Sequence, residues 1–140
     1  MIIAIDFDGT IVEDAYPEIG EPKLFVFETL QQMLLKRHQL ILWTTRTGRH
    51  LQEAVDLCRQ NGVEFYAVNK SYPDERVEDM GSRKIMCDLF ISNKNFGGIP
   101  GWGEIWQEVQ KAEGQDLETK QIQLNSGGFL SKLKNIFGKK

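Results

Sequence analysis

Apolar and polar positions fall along this chain in blocks whose periods announce strands and helices by turns. Residues 1–7 are apolar almost throughout and rich in isoleucine, as suits a central parallel strand covered on both faces. Residues 10–21 are mixed, with Pro17 and Gly20 among them, and read as an irregular excursion. Pro22 fits the first turn of a helix reaching about Arg37, with Leu24, Phe27, Leu30 and Leu34 at helical spacing. Residues 39–45 form a second buried strand, and 48–61 a second helix with Leu51, Ala54, Val55 and Cys58 along one side. Gly62 is placed to end it, because glycine tolerates the left-handed conformation common just past a helix.

Residues 63–68 are the third strand. The polar stretch 71–80, with Pro73 and many charges, reads as an exposed loop or short helix, and 82–86 as a short approach to a fourth strand at 87–92. After the glycine-rich residues 97–101 comes a helix over 102–112, in which Trp102, Ile105, Trp106 and Val109 face inward. Such alternation implies right-handed crossovers and an α/β fold: an open parallel sheet of strand order 3-2-1-4, with helices on both faces. Ligands of such sheets bind at the switch point, here the carboxyl ends of strands 1 and 4. Asp6 and Asp8 end the first of these strands, Ser92 and Asn93 the other.

Composition narrows the class. With 140 residues there is room for one ordinary domain, and 41% hydrophobic with 26% charged residues is a globular balance. No apolar run approaches the ~18 residues of a membrane span, and the first residues lack the basic leader of a secretory signal; a cytoplasmic protein is expected. The net charge of −3 leaves no basic footprint for a nucleic acid. Cys58 and Cys87 have no metal-ligand spacing and are expected as buried, reduced thiols. Neither His38 nor His50 has a paired ligand, so both are expected at the surface.

The end of the chain differs in character. Residues 113–128 are polar and close on Ser126-Gly127-Gly128, resembling a linker. In residues 129–140, Phe129, Leu130, Leu133, Ile136 and Phe137 share one helical face against Lys132, Lys134, Lys139 and Lys140. This short basic amphipathic tail is either a segment that stays unstructured or folds back, or a docking helix for a membrane surface or a protein partner.

The most specific signal is Asp6-Phe7-Asp8-Gly9-Thr10. Two carboxylates one residue apart at a strand's end repel unless a cation intervenes. Mg²⁺ answers this, being a hard ion that takes one or two carboxylates together with water and phosphate. Gly9 lets the backbone turn closely about a phosphoryl group and offers its amide to the phosphate oxygens.

In these residues the chain resembles the haloacid dehalogenase superfamily of phosphohydrolases, whose opening motif is apolar-Asp-x-Asp-x-Thr. The resemblance spans roughly residues 1–110 and implies a Rossmann-like phosphatase core at 1–112. It makes Asp6 the nucleophile that forms an aspartyl-phosphate, and Asp8 the acid and base. Thr44 takes the place of the second-motif hydroxyl, with Thr45 and Arg46 beyond it as substrate contacts, the guanidinium as a charge-assisted fork. Lys84 stands for the third-motif lysine, with Arg83 and Lys70 as fallbacks. In the nucleotidase-like branch the fourth motif runs Asp-Leu-x-Ile-Asp-Asp; here it reads Asp88-Leu89-Phe90-Ile91-Ser92-Asn93. The metal set implied is therefore Asp6, Asp8 and Asn93 around Mg²⁺, one formal charge short.

The spacing between motifs leaves no place for a large cap, so an open site is expected, suited to a phosphorylated small molecule or macromolecule. Two functions compete: a Mg²⁺-dependent phosphomonoester hydrolase, or an impaired relative that binds a phosphorylated ligand or partner. A signalling receiver domain ranks last, because its phosphate acceptor ends the third strand, and here that strand ends Ala67-Val68-Asn69-Lys70.

Overall fold

In the computed structural model of the protein, residues 1–137 are described, their side chains as far as residue 127. The chain divides into two compact units, Met1–Trp106 and Gln107–Lys140. The elements run β1 (Ile2–Ile5), α1 (Val26–Leu35), β2 (Gln39–Leu42), α2 (Gly48–Gln60), β3 (Ala67–Val68), a 3₁₀ turn (Val77–Asp79), β4 (Leu89–Ile91) and α3 (Trp102–Phe137). The four strands form one sheet in the order β3-β2-β1-β4, and every pairing is parallel. The parallel sheet, its strand order and the absence of a cap are as expected; of the helices expected on both faces, α1 and α2 share one.

Both faces of the sheet are covered. Ile3 and Ile5 of β1 and Leu40 and Leu42 of β2 have no exposed surface. The α1 and α2 crossovers step in the same direction across the sheet, and right-handed connections therefore lay both helices on one face. Ala4, Ile41 and Ala67, pointing the other way, are covered by Ile85 from the segment that joins β3 to β4, with Trp43 and Cys87 beside them. That the strands are short matters little: Val63 is also fully buried ahead of β3, so the third apolar run packs as expected while pairing over two residues.

Two elements depart from expectation. Helix α1 begins at Val26, not at Pro22, because residues 21–23 are occupied in pairing with 11–13: Glu13 N–H donates to Glu21 O, and Lys23 N–H to Ile11 O, both at 2.8 Å. Phe25, at φ 63, then turns the chain into the helix. Its inward face is Val26, Thr29, Leu30 and Met33, while Leu24 stands 76% exposed. The same pairing closes the 10–21 excursion into a loop.

The polar stretch 113–128, expected as a linker, is helical, and α3 continues through Ser126-Gly127-Gly128. Gln, Glu, Lys and Leu are strong helix formers, and Glu108–Lys111 and Asp116–Lys120 pair at one-turn spacing. The side chains of the amphipathic tail at 129–140 lie outside the described residues. Among the described residues no helix is long and apolar enough to cross a membrane. His38, expected at the surface, is 4% exposed and lies 3.1 Å from the Met1 amine through its Nδ1. Both cysteines are free; burial pushes the Cys58 thiol up to about 12.

Candidate functional site

Asp6 continues β1 by one residue, its N–H donating to Ile91 O at 3.0 Å. Its half-buried carboxylate accepts the Phe7 N–H at Oδ1 (2.8 Å) and the Ser92 hydroxyl at Oδ2 (3.0 Å). Ser92 is fully buried and in turn accepts the Lys94 N–H at 3.1 Å. Ser92, where an acid was expected, is thus a donor to the neighbouring carboxylate, which an aspartate would repel. Each Asp6 oxygen has one protein donor, and a carboxylate has about four lone-pair sites, so room for a further ligand remains.

Asp8 is in a different state. Arg46 Nε and Nη2 donate to Asp8 Oδ2 and Oδ1 at 2.8 and 2.7 Å, a two-pronged ion pair. The remaining guanidinium hydrogens go to the carbonyls of Pro17 (3.1 Å), Glu18 (2.7 Å) and His50 (3.4 Å). The rings of Phe7 and Tyr16 lie 5.0 and 5.2 Å from the guanidinium carbon, a favourable cation–π distance. The hydrogen bonds that Arg46 donates to Asp8 raise its pKa, against a smaller lowering by burial. Arg46 has no exposed surface, and all five of its donors are engaged. It therefore does not offer the substrate fork expected of it; the closed 10–21 loop brings the carbonyls that hold it on Asp8.

Gly9 adopts φ +79, and a Cβ there would sit 2.3 Å from Asn93 Nδ2. Its conformation and the close approach of Asn93 both demand glycine. Its amide, however, donates to Val12 O at 2.8 Å, so it is not free to hold phosphate as expected. Thr10 is fully buried, accepts the Asn93 N–H at 2.9 Å and donates to Asn93 Oδ1 at 3.2 Å. Its carbonyl takes the Trp102 indole N–H at 3.0 Å. Thr10 thereby locks the loop after β1 to the loop after β4, a role that sequence reasoning missed although the motif contains it.

Thr44 lies at the carboxyl end of β2, as expected. Its hydroxyl accepts the Arg46 N–H at 3.1 Å, and its own N–H donates to Asn69 Oδ1 at 2.8 Å. Having accepted one hydrogen, the hydroxyl retains its own proton to donate. Thr45 is exposed at the same edge.

Lys84 is not brought to the carboxylates. Asp88 N–H donates to Ile2 O at 2.8 Å, and Asp88 Oδ2 accepts the Ile2 N–H at 2.7 Å, tying the approach to β4 to the amino end of β1. Lys84 is exposed there, on a hollow of about 500 Å³ lined also by Ile2, Met86 and Asp88. Of the fallbacks, Arg83 is exposed and Lys70 Nζ lies 3.5 Å from Pro73 O. The exposed cation that follows Asn93 directly at the carboxyl edge is Lys94.

For a hard cation the donor set is thin. Among the described residues no group of three or more His, Cys, Asp or Glu side chains converges. With both oxygens under Arg46, the Asp8 carboxylate is not available as expected. Asp6 and the Asn93 amide oxygen remain, on adjacent strand ends. One carboxylate and one neutral oxygen fit Mg²⁺, which keeps several waters and takes much of its shell from phosphate.

Fold and site together define a capless Rossmann-like α/β domain with an unequal carboxylate pair at its switch point. A solved structure of a conserved protein coded by a locus of Bacteroides thetaiotaomicron is similar, with 51% sequence identity over 80% of this chain and 91% of that one and a TM-score of 0.76. The chain belongs to the same family as that conserved protein. No family model matches it, and no curated protein does.

Proposed function

We propose that the crevice at Asp6 is the active site of a Mg²⁺-dependent phosphohydrolase of the haloacid dehalogenase type. The observation that carries this reading is the inequality of the two acids. Asp6 is half-exposed and, among the described residues, met by neutral donors, whereas Asp8 is held in place by a buried guanidinium.

Asp8 first releases an oxygen from Arg46 and takes up a proton from solvent; an Asp6 oxygen then attacks phosphorus, the ester oxygen departs with that proton, and an aspartyl-phosphate forms. A water then gives its proton to Asp8 and cleaves the acyl phosphate. Both steps require Asp8 to release at least one oxygen from Arg46, which makes Arg46 a positioning residue. Thr44 donates its hydroxyl to a phosphoryl oxygen. Asp6 and Asn93 would hold a Mg²⁺ ion, which would supply charge neutralisation for the phosphoryl group. The absence of a cap suits a bulky phosphoester or a partner that covers the site.

A second reading, a module that binds a phosphorylated ligand without turnover, draws on Ser92 and Asn93 in place of acids. Incubation with p-nitrophenyl phosphate and a panel of metabolite phosphates, with and without Mg²⁺, separates the two. The first expects Mg²⁺-dependent phosphate release that Asp6→Asn abolishes; rates equal in both proteins favour the second.

A further inference from the structure

Charge at Asp6 does not balance with the groups described so far. A phosphomonoester brings up to two negative charges, and the Asp6 carboxylate adds a third. A Mg²⁺ ion would answer two of them, while Asp8 and Arg46 cancel within their own pair. Like charges this close repel, so a dianion approaching Asp6 needs one more cation from the chain.

Ser92 shows where that cation stands. Its hydroxyl donates to Asp6 Oδ2 at 3.0 Å and accepts the Lys94 N–H at 3.1 Å. The Lys94 backbone nitrogen therefore lies at most about 6 Å from that carboxylate oxygen. The Ser92 carbonyl takes the Asn95 N–H at 3.3 Å, which turns the chain after β4 and keeps Lys94 at the carboxyl edge. A lysine's four-carbon stem spans about 6 Å, enough to bring its ammonium to a phosphoryl group seated on Asp6. Lys94 is exposed, and no acid among the described residues pairs with it.

Other cations are spent or out of reach. Arg46 is held by Asp8 and three carbonyls, and Lys23 lies 3.0 Å from Glu13. Lys84 stands at the opposite end of the sheet. Lys70 follows β3, two strands and roughly 10 Å across the sheet from β1, with its Nζ 3.5 Å from Pro73 O. Because β1 runs between β2 and β4, Thr44 and Lys94 flank Asp6 from the two neighbouring strand ends.

We propose that Lys94 is a catalytic residue whose ammonium binds the phosphoryl oxygens beside Asp6, and that by answering the third charge it fits the site to phosphomonoester dianions over singly charged diesters. The inference rests on the phosphohydrolase reading and deepens it. An ammonium is a compact charge with three rotatable donors, so it stays on the phosphoryl oxygens as phosphorus passes from the ester oxygen to Asp6. The Ser92 hydroxyl serves both partners at once, fixing the carboxylate and the turn that carries the lysine.

Calorimetry on the full chain with Mg²⁺, at mildly alkaline pH, tests this through two non-hydrolysable probes: methylphosphonate, a dianion, and its monomethyl ester, a monoanion. Wild-type protein is expected to bind the dianion more tightly. Lys94→Ala is expected to weaken dianion binding by about tenfold or more, as loss of a charge-assisted hydrogen bond does, and to change ester binding by no more than about twofold. Lys94→Arg should restore most of the preference, and Lys70→Ala and Lys84→Ala should leave it as in the wild type. An unchanged melting temperature for Lys94→Ala excludes a folding defect. Dianion binding untouched in Lys94→Ala, or lost in Lys70→Ala or Lys84→Ala instead, overturns the assignment and leaves the phosphoryl site standing. An equal loss for both probes overturns selection by charge. Binding of neither probe by the wild type overturns the assignment and the phosphohydrolase reading together.

Discussion

The guanidinium of Arg46 holds both carboxylate oxygens of Asp8, at 2.7 and 2.8 Å, from a position with no exposed surface. The two residues stand 38 apart in the chain, and their pairing decides what each can do. Asp8 cannot serve a metal with those oxygens while Arg46 holds them, and Arg46 cannot serve a substrate.

Breaking this pair from either side is expected to destabilise the domain by about 3–5 kcal/mol, because an uncompensated charge is left in place. Arg46→Met and Asp8→Asn, measured by urea unfolding, should each show the loss. The double variant should lose less than their sum, since the second change removes the charge that the first stranded. Additive losses would show that the ion pair is not what the two residues share.

Gly9→Ala meets two penalties at once. A non-glycine residue in the left-handed region costs ~1–2 kcal/mol, and the new methyl would sit 2.3 Å from Asn93 Nδ2. A stability loss of at least about 2 kcal/mol is expected by denaturant unfolding, with loss of any Mg²⁺-dependent phosphate release as Asn93 is displaced. A neutral substitution would contradict the close packing of the two loops.

Ser92→Asp tests the metal reading. It replaces a donor 3.0 Å from Asp6 with a like charge, so the variant should melt below the wild type without metal. With millimolar Mg²⁺ its melting temperature should rise by a few degrees more than that of the wild type, because a second carboxylate tightens the ion and ligand binding stabilises the folded state. Equal Mg²⁺ responses would place the cation elsewhere.

Cys58 gives a pH dependence with a definite sign. Its thiol is pushed from 9.0 up to about 12 by burial, so above pH 9 the unfolded chain loses this proton while the folded one keeps it. The stability it contributes is complete below pH 9 and falls by roughly 1.4 kcal/mol per pH unit until about pH 12. Cys58→Ala should flatten the fall in stability between pH 9 and 11, measured by urea unfolding. An unchanged slope would assign the alkaline loss to other groups.

Much of the fold was legible because the strands are buried on both faces and read as apolar runs around IDFDGT. The start of α1 was not, because Pro22 has two good uses. The pairing of residues 21–23 with 11–13 took it before a helix could, and no local pattern announces a pairing across ten residues. At 113–128 the terminal Ser-Gly-Gly suggested a linker, while the helix formers ahead of it carry α3 through.

The candidate site divides in the same way. Asp6, Thr44 and Asn93 stand at strand ends where motif spacing puts them, because position along a strand is a local property. Arg46 and Lys84 do not act as their motifs suggest, since a guanidinium's partners and a lysine's reach depend on contacts between distant segments. Ser92 looked like a missing acid; only the side-by-side rung with Asp6 shows it as a donor. The one available signal was that a hydroxyl beside a carboxylate can do what a second carboxylate cannot.

Chemical trapping tests most directly whether Asp6 takes the phosphoryl group. Wild-type protein turning over p-nitrophenyl phosphate with Mg²⁺ is quenched with borohydride, which reduces an aspartyl-phosphate to homoserine, and the digest is read by mass spectrometry. Homoserine at position 6, absent without substrate and absent from Asp6→Asn, is the expected result. Turnover that leaves residue 6 unmodified, or that persists in Asp6→Asn, would contradict the account.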